Sequence, residues 1–204
     1  LQVLNSVMMF SGAFLQMTRS LASARRIREV LTEQPDLANA AKPVQTVPNG
    51  QVDFENVSFK YNAAAQKNAL SDITVHIPAG ATVGIIGGTG AAKTTLVQLI
   101  PRLYDATEGT VKVGGCDVRD YDLTALRDAV GIVLQKNLLF SGTIRDNLKW
   151  GNPDAAEEQL WAACRAAHAD EFLDRMPDGL DTDLGQGGVN VSGGQKQRLC
   201  IART

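Results

Sequence analysis

A chain of 204 residues, 44% hydrophobic and 21% charged, is long enough for one substantial α/β core with an appendage, and it excludes a disordered or fibrous protein. Its formal net charge of −2 supplies no global attraction to nucleic acid, so no nucleic-acid partner is expected. Three scattered cysteines (Cys116, Cys164 and Cys200), two histidines and no CxxC pair exclude a disulfide framework and a structural zinc site, and fit a reducing compartment.

Residues 1–34 read as one long helix, with Leu1, Leu4, Met8, Leu15, Leu21, Ile27 and Leu31 recurring at helical spacing. No charge occurs up to Met17; Arg19, Arg25, Arg26 and Arg28 then follow. Such a run stands at the short edge of a bilayer span. Two readings remain open: the tail of a longer transmembrane helix with arginines on its inner side, or a plain amphipathic core helix. Pro35 ends the helix, because proline disfavours helix in the residue before it. Residues 35–50, with Pro43, Pro48 and Gly50, read as a linker, and a new domain occupies 51–204.

That domain opens with a segment in which Val52, Phe54, Val57 and Phe59 are punctuated by polar neighbours, as in strands exposed on one face, and with a second in which Ile73, Val75 and Ile77 alternate cleanly with polar residues. Val83–Ile86 is a continuous apolar run, the pattern of a strand buried on both faces. A helix is predicted at Lys93–Leu103, short strands at Val111–Val113 and Val130–Leu134, then helices at Thr143–Trp150, Asp154–Ala167 and Ala169–Met176. A glycine-rich loop, Gly185-Gln186-Gly187-Gly188, precedes a last helix opened by Ser192. The predicted architecture is an α/β core with a helical subdomain. Leu1 is not a start methionine and the last helix runs to Thr204, so the sequence reads as a piece cut at both ends.

Two motifs carry chemistry. Gly87-Gly88-Thr89-Gly90-Ala91-Ala92-Lys93-Thr94-Thr95 follows the predicted strand Thr82–Ile86 and opens a helix, which is the context of a phosphate-binding P-loop. Its backbone N–H groups can surround phosphate oxygens, and the start of the helix adds favourable potential for anions. Lys93 supplies a mobile positive charge for the β and γ phosphates, and the Thr94 hydroxyl suits Mg²⁺. Ala92 departs from the pattern, which has glycine before the lysine; its methyl is expected to strain the loop and weaken phosphate binding, so that restoring glycine tightens it. The second motif is Val191-Ser192-Gly193-Gly194-Gln195-Lys196-Gln197-Arg198, in which Ser192 can cap a helix and two glycines let backbone N–H groups approach a phosphate.

This second motif resembles the signature of ABC transporters, and the resemblance extends over essentially the whole chain. It implies a P-loop NTPase core of ABC type with an antiparallel β subdomain and a helical subdomain, C-terminally truncated and preceded by a long helix. Phe59-Lys60-Tyr61 is similar to the family's aromatic loop, which implies that Tyr61 stacks on adenine. Gln135 resembles the Q-loop glutamine, which implies contact with Mg²⁺ and the attacking water. Ser192, Gly193, Gly194 and Gln195 would close over ATP held by a second nucleotide-binding domain in a head-to-tail dimer, of like or unlike chains.

Residues 182–188 resemble the loop that meets transmembrane domains, although Gln186-Gly187-Gly188 departs from the usual Glu-Arg-Gly. Phe140-Ser141-Gly142-Thr143-Ile144-Arg145-Asp146-Asn147-Leu148 resembles exporters rather than importers, and Lys149-Trp150-Gly151 resembles heterodimeric multidrug exporters. The resemblance implies an ATPase coupled to export, at the cell membrane with this domain on the cytoplasmic side. The family's catalytic glutamate would lie past Thr204, so no general base is assigned. A non-hydrolysing partner of a heterodimer and a soluble ATPase without a transport role are the alternatives.

Overall fold

A computed structural model describes residues 2–62 and 64–204; Leu1, assigned to the first helix by its pattern, lies outside them. The chain divides into two compact units, Leu1–Leu123 and Thr124–Thr204.

The first unit begins with α1 (Gln2–Thr32), which buries none of its described residues. Val3, Met9, Phe10 and Leu31 are each more than three-quarters exposed, so its apolar surface finds no cover among the described residues. No helix among the described residues is long and apolar enough to cross a membrane. The stretch 35–50 is irregular as its prolines require, and Val44 forms a single parallel bridge to Tyr121.

A four-stranded antiparallel sheet follows, in the order β2-β1-β3-β4: β1 (Val52–Phe59), β2 (Leu70–Ile77), β3 (Glu108–Val113) and β4 (Cys116–Asp117). Phe54 and Val57 stand three apart, which a regular two-residue alternation cannot bring to one face. The register shift between them absorbs the extra residue, with Asn56 at φ 50°, and Phe54, Val57 and Phe59 are all buried. Gly109, at φ 78°, faces this bulge; a Cβ there would strike the backbone of Glu55 and Asn56. Beside the bulge, Asp53 is held below its usual pKa by hydrogen bonds from His76 and then Gln51. Tyr121, fully buried, donates its hydroxyl to the Val113 carbonyl at 2.9 Å.

Two predicted strands are not formed. Residues 82–86 and 130–134 take no regular secondary structure, and Ile86 is 99% exposed rather than buried on both faces. The reason is the partner: a parallel strand is stable only between neighbours brought in by crossovers, and no such neighbour occurs among the described residues. The helix expected at Lys93–Leu103 is shorter, α2 (Lys93–Gln98), and continues in tight turns as far as Leu103. Pro101 lacks an N–H and disfavours helix at Ile100, which accounts for the early end.

The second unit is helical. After α3 (Leu123–Ala129), which straddles the boundary, come α4 (Ile144–Lys149), α5 (Glu157–Ala166), α6 (Asp170–Leu173) and α7 (Gly193–Arg203). α5 and α6 lie inside their predicted spans and are shorter. Leu139, Ile144, Leu148, Leu160, Leu173 and Leu199 belong to one buried cluster that unites these helices. Thr143 caps α4: its hydroxyl accepts from the Asp146 N–H at 3.1 Å, and the Asp146 carboxylate accepts from the Thr143 N–H at 3.0 Å.

Candidate functional site

In the first unit, residues 87–92 form an exposed loop that turns into α2. Lys93, the first residue of the helix, folds back and donates Nζ to the Gly87 carbonyl at 2.7 Å and the Gly88 carbonyl at 2.8 Å. The loop therefore closes around its own ammonium group, which concentrates positive charge where a phosphate chain would lie. Gly90 takes φ 82°, and Ala92 takes φ 55°, ψ 25° at the N-cap of α2. The left-handed conformation costs a residue with a Cβ about 1–2 kcal/mol, and this is the position at which the motif has glycine. Ala92→Gly is accordingly expected to tighten Mg-ATP binding about tenfold. Titration of both proteins checks this; equal dissociation constants would mean that the alanine is carried without cost to phosphate.

Thr94 is exposed in the first turn of α2, and Thr95 is buried. Mg²⁺ keeps several waters and takes one or two protein oxygens along with substrate phosphates. A free hydroxyl next to Lys93 fits that need. No group of three or more His, Cys, Asp or Glu side chains placed to hold a metal occurs among the described residues, and an ion held through phosphates requires none.

Tyr61 follows β1 and reaches α2: its hydroxyl and the Thr95 hydroxyl lie 2.7 Å apart. The structure thus brings the predicted base-stacking residue and the predicted phosphate loop together in one unit. Phe59 and Tyr104 surround the same ring, with centroids 4.9 and 5.3 Å away. Tyr104 and the Tyr61–Thr95 pair were not legible in the sequence, since nothing local marks a contact across 34 residues. A cleft of about 480 Å³ borders this cluster, lined by Lys60, Tyr61, Tyr104 and the linker residues Pro35, Asp36 and Leu37.

In the second unit, Gln135 is exposed on an irregular segment after residues 130–134. Ser192 caps α7 as its sequence implies: its hydroxyl accepts from the Gln195 N–H at 3.3 Å, and Gln195 Oε1 accepts from the Ser192 N–H at 2.8 Å. Ser192, Gly193 and Gly194 are exposed, and a Cβ at either glycine would meet nothing within 4 Å. Lys196, one turn on, donates to the Gly187 carbonyl at 2.9 Å, and Asn190 donates to the Asp183 carbonyl at 3.1 Å. The loop 182–188 is thereby tied to the start of α7. Its other end is tied to α4: the Ile144 N–H donates to the Thr182 carbonyl at 3.1 Å. Arg145 bonds Asp181 at 2.7 Å, and this hydrogen bond holds the Asp181 carboxyl below its usual range.

Compared with known families, residues 70–204 match the one described as ABC transporter. The chain is 42% identical over 182 residues to a multidrug efflux ATP-binding/permease protein of Mycobacterium bovis, covering 89% of this chain and 15% of that protein. It is 39% identical over 186 residues to an ATP-dependent lipid A-core flippase of Desulfotalea psychrophila, covering 91% of this chain and 32% of that one. A solved bacterial Atm1-family ABC exporter with ATP bound matches with a TM-score of 0.85 and 34% identity, over 92% of this chain and 32% of its own. The chain spans about a third, or less, of the length of the curated relatives it matches.

Proposed function

Because this chain belongs to the ABC transporter family, we propose that it is the ATP-binding part of a membrane exporter, coupling ATP binding and hydrolysis to movement of a substrate. The observation that carries this reading is the joining, within one unit, of a lysine-closed phosphate loop and an exposed tyrosine hydrogen-bonded to the same helix. One ring can take a base and one loop the phosphates. Lys93 and the loop 87–92 would hold the phosphates and the Thr94 hydroxyl Mg²⁺, while Gln135, in the second unit, is given its role toward Mg²⁺ and the attacking water by its likeness to the Q-loop glutamine alone. Mg²⁺, when bound, neutralises phosphate charge.

Ser192, Gly193, Gly194 and Gln195 form the other half of a composite site. The exposure of Ser192, Gly193 and Gly194 suits contact with ATP held by a second nucleotide-binding domain, head to tail. Residues 1–34 are assigned to the end of a transmembrane helix and its cytoplasmic extension, 35–50 to a linker, and 51–204 to the nucleotide-binding domain. The assignment to export rests on the phrase Phe140–Leu148 and on relatives named for efflux and lipid flipping. With an export role goes a location at a membrane, with this domain on the cytoplasmic side and working with transmembrane domains.

Tyr61→Ala tests the reading. Base stacking on an aromatic ring is worth about 1–3 kcal/mol, so Mg-ATP affinity of the full-length protein should fall about tenfold, while Tyr61→Trp retains it. Silence in both variants would place the base elsewhere. One observation favours a second reading, a weakly hydrolysing partner in a heterodimer: Ala92 in a left-handed conformation at the phosphate loop.

A further inference from the structure

Tyr61 lies beyond the end of β1 in a bend, where an unsupported side chain would sample several rotamers and a base would have to order it on binding. It is not unsupported. Phe59 meets it at 4.9 Å and 82° between ring planes, Tyr104 at 5.3 Å and 88°, and its hydroxyl is bonded to Thr95. Near-perpendicular contacts set an edge against a face and so fix the tilt of the ring. The hydroxyl bond fixes its far end.

Tyr61 nevertheless remains 59% exposed, which leaves surface for one more aromatic partner. Of the two neighbouring rings, Phe59 belongs to the buried core of the sheet, whereas Tyr104 reaches Tyr61 from the turns after α2 and is itself 40% exposed. Tyr104 packs on Phe59 as well, at 5.5 Å. Its turn is anchored by Arg102, 5% exposed, which bonds the Asp105 carboxylate at 2.6 and 3.0 Å.

We propose that Tyr104 is a positioning residue for the nucleotide base: it holds the Tyr61 ring at the tilt from which Tyr61 stacks on adenine. The proposal rests on the base-stacking role given to Tyr61 above. Tyr104 does not itself touch the phosphates or the reacting atoms. Its removal therefore loosens recognition of the base and leaves recognition of the phosphate chain intact.

Two ligands separate these effects in the full-length protein: Mg-ATP, and Mg-tripolyphosphate, which has no base. Tyr104→Ala is expected to weaken Mg-ATP about two- to tenfold and to leave tripolyphosphate binding unchanged, and Tyr104→Phe, which keeps the ring edge, restores the parent value. An unchanged ATP affinity in Tyr104→Ala overturns the proposal. So does a parallel loss of tripolyphosphate, which signals general damage, or a failure of Tyr104→Phe to restore binding. Tyr61→Ala measured alongside distinguishes the two levels. If Tyr61→Ala is silent, the base-stacking reading falls and takes the proposal with it; if it weakens ATP while Tyr104→Ala does not, only the positioning role falls.

Discussion

Lys93→Ala is expected to weaken Mg-ATP binding about ten- to a hundredfold and to stop ATP turnover in the full-length protein. The ammonium group makes charge-assisted hydrogen bonds, worth about 1.5–3 kcal/mol each against phosphate oxygens. Nothing else in the first turn of α2 replaces it, since Thr94 and Thr95 are uncharged. The fold should tolerate the change. The Gly87 and Gly88 carbonyls that accept from Nζ lie in an exposed loop, where water can take over their hydrogen bonds. The decisive pair of measurements is therefore calorimetric titration with Mg-ATP and a circular dichroism spectrum. Native-like secondary structure with lost binding supports the assignment, and unchanged binding and turnover would sink it.

The largest effect on stability is expected from Asn147→Ala. Asn147 is 2% exposed in α4, and its amide satisfies three backbone groups. Oδ1 accepts from the Phe140 N–H at 2.8 Å, while Nδ2 donates to the carbonyls of Phe140 and Thr143, both at 2.9 Å. Both backbone polar groups of Phe140 thus depend on one side chain. The Thr143 carbonyl keeps the Asn147 N–H at 3.2 Å, but leaving the two Phe140 groups without partners costs about 1–3 kcal/mol each, so the loss should total about 2–4 kcal/mol, allowing for partial rescue by water at this half-open segment. Hydrogen exchange over residues 138–150 of the full-length protein reads the effect locally. Exchange there should accelerate by at least about thirtyfold, since 2 kcal/mol corresponds to that factor; a parent-like rate would refute the role given to Asn147.

The parts of the site that were legible in advance are those written in neighbouring residues. Ser192 and Gln195 stand three apart, the spacing of a capping box, and they cap each other. Lys93 after a glycine-rich run folds back over that run. The apolar patterns of β1 and β2 did yield two paired strands, Val52 with Ile77 and Phe54 with Val75, although the register shifts past Phe54 had no signature beyond the three-residue step to Val57. The departure at Ala92 was visible as a wrong residue type, and its left-handed backbone is the physical counterpart of the missing glycine. Residues 83–86 and 130–134 do not form the strands their apolar runs suggest, because such a run records only a readiness to pair. Pairing itself belongs to whichever segment lies alongside.

By itself, then, the sequence determined where the phosphate loop turns into a helix, where α7 is capped, and which residues could carry charge to a nucleotide. These depend on interactions within about one helical turn, whose geometry the backbone imposes. Only the tertiary structure decided that Tyr61 is bonded to Thr95, that Tyr104 flanks it, and that Asn147 serves Phe140 and Thr143 together. The Tyr61 and Tyr104 contacts join residues far apart along the chain. Their formation depends on the path of every intervening turn and on which surfaces hydrophobic burial brings together, an effect without direction and without a signature in any local run of residues.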